Sequence, residues 1–408
     1  MKTLHKRCAG LDVHKKEVVA CLRLVVRGKA NYEVGRFLTT TRGLLELAEW
    51  LEQAGCTHVA MEATGVYWKP VWHMLEGRFQ QILANAAHIK GVPGRKSDMN
   101  DATWIADLLA HGLIRASFVP PQPIQELRDL TRTRKQLTRE IVQHTQRIQA
   151  VLEEANVKLS SVITDILGAS GRRILRAIFA GETDPAKLSE LGDPRLATTH
   201  AELADALHGR IRSHHRFLIG QHVKTIEQLE ETIAAFDARI EAALEPFRDA
   251  LERLKEVPGL SQTSAQILIA EIGTDMRQFP TAGHLLSWVG LIPRLDESAG
   301  KRRSTRVRKG APWLKPVLVQ CAWAAARKKN SYFEAQFLRL KARCGPKKAV
   351  VAVAGSILTT AYHMLADGTC YQDLGADHFA RRNPARTAAK LANRIRNLGF
   401  DVEIRPAA

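Results

Sequence analysis

The stretch Ala9–Leu22, AGLDVHKKEVVACL, decides how the first part of the chain folds. Apolar runs too short for helices flank His14, Lys15 and Lys16, so a strand, a tight turn and a second strand are expected. Working outward, Cys8–His14, Glu17–Val26 and Tyr32–Leu38 read as three successive strands. Leu44, Leu47, Ala48 and Leu51 share one face of a helix over Gly43–Gln53. His58–Glu62 is a short apolar strand, Val66–Leu75 a helix, and a further strand lies near Gln81–Ala84. Ser97 and Gly112 then bracket a helix as its cap and its stop.

Three hairpin-linked strands followed by helix, strand, helix, strand and helix is the order of a ribonuclease-H-like α/β domain. VPPQP at 119–123 marks its end. Beyond it, Leu127, Arg134, Ile141 and Ile148 alternate with Leu130, Leu137, His144 and Val151 at heptad spacing. A second heptad run holds Ile219, Val223, Ile226, Leu229, Ile233, Phe236, Ile240 and Ala243, with Pro246 as its stop. Long paired helices or a coiled coil follow, within one chain or between two. Residues 160–215 join the runs irregularly. Glu256–Gly273, EVPGLSQTSAQILIAEIG, has the form of the second half of a helix-hairpin-helix, whose turn at Gly259 offers backbone amides to a phosphate. The fold class is therefore multidomain α/β plus α. The domains are 1–118 (α/β), 119–252 (helical, coiled coil), 253–376 (mostly helical, DNA-binding) and 377–408 (basic tail).

The chain of 408 residues carries a net charge of +18. Positive charge on this scale favours a nucleic acid or an anionic membrane surface. Its position favours nucleic acid: between Arg277 and Lys348 seventeen Lys and Arg face only Asp296, Glu297 and Glu334, with aromatics interleaved. Six cysteines without a CxxC pair or zinc spacing read as buried thiols of a reducing cytosol. Asp12 and His14 break any apolar leader, and the uncharged run Ala349–Ala366 reads as a buried helix rather than a membrane span.

Four carboxylates carry the chemistry. Asp12 lies mid-strand in an apolar stretch, where a carboxylate is costly unless it meets a metal or a partner. Glu62 ends the strand HVAME, and Asp98 and Asp101, three apart at one helix start, project to the same side. Two Mg²⁺ ions held by such a set neutralise charge and stabilise the leaving oxygen in phosphodiester chemistry. First-turn acids also stabilise a helix dipole, so Asp98 and Asp101 alone carry less weight. Asp107, farther along, reads as structural, and His14 and Lys15 as turn residues. Ser298, in ESAGKRRSTRVRKG, has no local base to activate its hydroxyl. Judged alone it is a loop serine.

The ordered motifs GLDVHKK, MEATGVYW, KSDMNDA, PGLSQTSAQILIAEIG, LLSWVGLIPR, SAGKRRSTRVRKG and GPKKAVVAVAGSIL resemble the DEDD-type transposases of the insertion-sequence one-ten group over nearly the whole chain. The resemblance implies a RuvC-like N-terminal domain, a coiled coil and a C-terminal domain. It implies Asp12, Glu62, Asp98 and Asp101 as catalytic metal ligands and Ser298 as nucleophile of an RNA-guided serine recombinase. It further implies donor and target DNA, an element-encoded guide RNA and a homo-oligomer (dimer or tetramer). Two positions depart from the family pattern: Ala299 stands where Gly usually follows the serine, and Ala311 where Asn or Asp usually follows the Lys-Gly pair.

The expected activity is therefore Mg²⁺-dependent DNA cleavage and strand exchange through a covalent serine–DNA link, in the cytoplasm at the nucleoid, with no membrane. Gly259, Lys301, Arg302, Arg303, Arg306, Arg308, Lys309, Lys347 and Lys348 are expected to hold nucleic acid. A RuvC-like nuclease using water, which needs the acids but not Ser298, remains an alternative. So does a non-catalytic nucleic-acid-binding protein, which needs only the basic segment.

Overall fold

Along β1 (Arg7–Val13) the side chains alternate between two packed faces: Ala9, Leu11 and Val13 join one core, Cys8 the other. The computed structural model describes residues 3–63, 65–85, 89, 101–293, 296–304 and 306–405, and the backbone alone at 296, 298, 302 and 303. The chain divides into two units, Met1–Val119 and Pro120–Ala408.

In the first unit β1, β2 (Glu17–Val26) and β3 (Lys29–Leu38) are antiparallel neighbours, while β4 (His58–Glu62) and β5 (Gln80–Ala84) run parallel to β1. The strand order is β3-β2-β1-β4-β5. The third strand begins at Lys29, earlier than expected, because Arg27 and Gly28 both take positive φ and close a two-residue hairpin. An Arg-Gly turn carries a weaker sequence signal than Asn-Gly.

One sheet face is covered by α1 (Thr41–Gln53) and α2 (Trp68–Leu75), whose Leu44, Leu47, Leu51, Val71 and Leu75 pack on Leu11, Val18, Leu22 and Met61. Each such buried side chain contributes about 1.5–3 kcal/mol relative to exposure. The Oγ1 of Thr40 caps α1 by accepting from the Gly43 amide. The opposite face is covered by α3 (Asp101–Ala110), through Trp104, Ile105, Leu108 and Leu109 against Cys8, Ala60 and Ala84.

Gly10 sets how close α3 comes. A Cβ there would lie 2.2 Å from the Ala102 carbonyl oxygen and 2.4 Å from the Ala106 amide. Asp107 has a structural role, as expected: it accepts from Arg23 Nε at 2.8 Å and from the Tyr32 hydroxyl at 2.6 Å, pairing a guanidinium buried in the sheet.

The second unit opens with α4 (Gln122–Glu154), which starts inside the VPPQP motif because a proline in the first turn loses no helical hydrogen bond. Four helices follow, α5 (Leu159–Val162), α6 (Ala169–Ala180), α7 (Pro185–Glu190) and α8 (His200–Leu207), then α9 (Ser213–Leu244). The two long helices pack against each other within one chain, burying Leu127, Ile148, Ile219, Val223 and Ile226. Arg134, a cation at a heptad core position, is satisfied by Asp237 at 2.6 Å and Gln266 at 3.2 Å. Residues 160–215 are not an irregular join: Ile163, Ile174, Leu188 and Leu203 share one core with Ile148, Leu152, Ile219 and Val223 of the long helices.

Helices α10 (Arg248–Lys255), α11 (Gln262–Ile272), α12 (Ala282–Val289), α13 (Leu314–Ala325), α14 (Tyr332–Cys344), α15 (Pro346–Asp367), α16 (His378–Arg381) and α17 (Pro384–Arg396) complete the unit, with the hairpin β6 (Asp296–Ser298) and β7 (Lys301–Ser304) between α12 and α13. Buried Glu271 on α11 accepts two bonds from Arg132 on α4, at 2.7 and 2.8 Å, and ties the long helix to the C-terminal helices. By length and composition α15 alone among the described residues could cross a membrane. Its Val350, Val353, Ile357 and Leu358 are instead buried in the helical core. All six cysteines are free; Cys370 is exposed and Cys344 half-buried, contrary to a uniformly buried set.

Candidate active site and nucleic-acid interface

Strand register places the acids. Leu11 pairs with Met61 in the parallel β1–β4 ladder, so the next residues, Asp12 and Glu62, are neighbours on adjacent strands about 4.8 Å apart. Asp12 alternates with Gly10, and Glu62 with Ala60; both Gly10 and Ala60 face α3. The two carboxylates therefore emerge on the α3 face at the C-terminal ends of β1 and β4. Asp101 is the first residue of that helix, next to Ala102, whose carbonyl packs over Gly10. Asp12 and Glu62 thus share one edge of one sheet face, at the end where the helix carrying Asp101 begins. Asp98 lies outside the described residues.

Asp12 is bonded to His14 at 3.1 Å, so the turn that ends β1 also orients its carboxylate. His14 and Lys15 are exposed. Carboxylate oxygens are the donors a hard divalent cation takes, so the residue types fit Mg²⁺. Among the described residues no three His, Cys, Asp or Glu side chains are close enough to hold an ion.

The serine belongs to a different construction. Its backbone ends β6 and pairs with Lys301 across the two-residue turn Ala299–Gly300. Both turn residues have positive φ, 50° at Ala299 and 74° at Gly300. Such a turn favours glycine at both positions, and Ala299 holds a backbone costly for an L-residue by about 1–2 kcal/mol. The departure from the family pattern at 299 therefore falls on the conformation that Gly would relax. The hairpin's stem is closed by Gly290 and Gly310: a Cβ on Gly310 would lie 1.9 Å from the Val289 carbonyl oxygen, and one on Gly290 2.7 Å from Gly310 Cα. Paired glycines at both ends of the basic segment were the sequence signal for this crossing. Ala311, the second departure, is buried beneath it and donates its amide to Val289.

Lys301, Arg306, Arg308 and Lys309 are exposed on the hairpin and its return, and Lys347 and Lys348 are exposed in the first turn of α15. The side chains of Arg302 and Arg303 lie outside those described. Gly259 has φ +88° and sits against α13, where a Cβ would meet the Cys321 carbonyl oxygen at 2.2 Å. Packing is sufficient reason for glycine there, and most of the Pro-Gly-Leu turn is buried. The same glycine also borders a cavity of about 610 Å³ with Lys135, Arg139 and Ser261 on its walls.

Residues 9–157 match the DEDD_Tnp_IS110 family model, described as a transposase, and residues 251–338 match a model described as Transposase IS116/IS110/IS902 family. Asp12, Glu62 and Asp101 fall in the first match, Ser298 in the second. The chain is 26% identical over 321 residues, 77% of its length and 85% of the relative's, to a Pseudomonas aeruginosa protein described as a probable family 20 transposase. It is 25% identical over 69% of its length and 73% of the relative's to an insertion element IS110 uncharacterized protein of Streptomyces coelicolor. A transposase for insertion sequence element IS1111A of Coxiella burnetii is 29% identical over 31% of this chain and 35% of its own. Both matched models describe transposases, so the label serine recombinase is corrected to DEDD transposase.

Proposed function

Since the chain belongs to the IS110 family of transposases and is a DNA transposase, we propose that it cleaves and rejoins strands with Asp12, Glu62, Asp98 and Asp101 as one active centre and Ser298 as nucleophile. The observation that supports this reading is that Asp12 and Glu62 share one edge of the α3 face, at the end where the helix carrying Asp101 begins. The strand order, with three antiparallel strands and two parallel additions, supports a RuvC-like domain at 1–118. The long helix pair supports a helical region over 119–252 within the second unit, with 253–376 as the transposase region and 377–408 as the tail.

The acids have no function in their own repulsion; they would hold Mg²⁺, which when bound neutralises phosphate charge. Asp12, oriented by His14, and Glu62 present oxygens from rigid strand ends, and Asp101 closes the set from the helix. Exposed Lys301, Arg306, Arg308 and Lys309 bind the DNA backbone around the serine. The Ser298 oxygen attacks the scissile phosphorus, a phosphoserine diester forms, and the bond to one deoxyribose oxygen breaks. That oxygen leaves as a hydroxyl by taking a proton from solvent, which in turn receives the serine proton. Attack by the incoming strand's hydroxyl on the phosphoserine reverses the step and releases the enzyme, conserving the bond energy. An element-encoded RNA that selects donor and target, and an oligomer acting at the nucleoid in the cytoplasm, complete the proposal by family resemblance.

The test is covalent trapping. Incubated with DNA carrying the element's ends and Mg²⁺, the protein should yield an adduct that survives denaturation and maps to the Ser298 peptide. Ser298→Ala should give no adduct, and Ser304→Ala should keep it. Cleavage without an adduct would transfer the reading to a nuclease that uses water, and full recombination by Ser298→Ala would remove the serine step.

A further inference from the structure

The basic C-terminal tail does more than add charge. Helices α14 and α17, with the turn that joins α16 to α17, enclose a cavity of about 680 Å³. Arg339 and Arg343 line one wall and Arg382, Arg386 and Lys390 another, each row at a spacing of four residues. No acidic residue lines the cavity, and none of the five cations is paired with a carboxylate among the described residues. Four helical residues advance about 6 Å, so Arg339 and Arg343 on α14, and Arg386 and Lys390 on α17, stand one turn apart on one face, while Arg382 joins them from the turn before α17. Phe379 lies at the cavity's edge, with the Arg339 guanidinium 4.2 Å from its ring centre and Tyr332 stacked on it at 5.2 Å. The ring fixes a guanidinium in place rather than being left bare for a base.

We propose that this cavity is a second nucleic-acid site, which grips consecutive backbone phosphates without reading sequence. It rests on the reading above only in taking nucleic acid as the partner, and it lies beyond both segments that match the family models, the second of which ends at residue 338. Five like charges around one cleft repel one another in the empty protein, and a polyanion entering between the rows relieves that repulsion and releases counterions. Guanidinium groups suit phosphate oxygens, to which they donate two bonds at once. The hairpin around Ser298 and this cavity would then hold different stretches of one nucleic acid or two separate molecules.

The experiment compares salt dependence of binding for three full-length proteins: the natural chain, Arg343→Gln/Arg386→Gln/Lys390→Gln, and a hairpin variant, Lys301→Gln/Arg306→Gln/Lys309→Gln. The probe is duplex DNA of arbitrary sequence, with hairpin RNA, polyglutamate and vesicles containing phosphatidylserine as competitors. The tail variant should lower the log–log salt slope on the duplex by about 0.9 for each phosphate it no longer neutralises. Arg343→Lys/Arg386→Lys, which keeps the charge, should retain the slope. The three substituted side chains are exposed, so the thermal transition should not move. If the hairpin variant loses slope while the tail variant binds as the natural chain does, this inference falls and the proposed function stands. If the natural chain binds neither duplex nor hairpin RNA, the proposed function is in trouble as well. Preferential capture of polyglutamate or vesicles by the tail would overturn the nucleic-acid assignment.

Discussion

The two regions proposed to carry the chemistry are built on opposite plans. Asp12, Glu62 and Asp101 stand on regular elements whose other faces are core, so their positions are fixed by the same packing that makes the domain stable. Ser298 stands beside a strained turn at the tip of a hairpin that leaves the helical core through one glycine crossing. The elements that carry the first kind of site cannot be shifted without cost to the fold. A site of the second kind can shift as a unit as long as the stem closes.

The largest effect that tests this contrast is on chemistry alone. Asp12→Asn keeps the shape and the His14 contact but removes the charge, so strand cleavage should fall by about a thousandfold or more, equivalent to several kcal/mol of lost stabilisation. Circular dichroism and duplex binding should stay close to those of the natural protein. Cleavage within tenfold of normal would detach Asp12 from the active centre.

Next in size, Gly10→Ala should couple stability to activity. Its Cβ meets backbone, which cannot rotate away, so α3 must lift from the sheet and carry Asp101 with it. A loss of about 1–3 kcal/mol is expected, with a fall in cleavage at temperatures where the protein is still folded. A destabilised but fully active variant would show that Asp101 does not need α3 seated on Gly10.

The smallest effect is on the other plan. Ala299→Gly should relieve about 1 kcal/mol of turn strain and leave the melting temperature of the cores untouched. Adduct formation at Ser298 should change in rate, because the hairpin tip is then more often in its paired form. A shift in global melting with no change at the serine would mean that the tip is part of the core after all.

Much of the first unit was legible because alternation and short apolar runs act locally. The strands, the covering helices and the acids at strand ends all follow from residue order, and β4 has the bounds read from sequence. The β2–β3 turn escaped because Arg27 adopts a conformation that its residue type does not announce. In the second unit the heptads gave the long helices, but whether they meet within a chain depends on contacts more than a hundred residues apart, such as Arg134 with Asp237. Separation along the chain also hid the tail cavity: Arg339 and Arg386 border it together only once α14, α16 and α17 are in place. Ser298 was singled out by resemblance alone, since nothing in the neighbouring sequence supplies a base for a serine.

The contact between Gly290 and Gly310 has a consequence for how such a chain tolerates change. Everything from Leu291 to Lys309 begins and ends at one point on the helical body, where two bare backbones touch. An insertion or a deletion beyond the Pro293–Val307 bridge leaves in place buried Leu291 and the Arg308 carbonyl that accepts from Lys315, provided both glycines remain. The hairpin is therefore a cassette: its length and charge can be rewritten for a different DNA, while the helices beneath it keep folding to the same instructions.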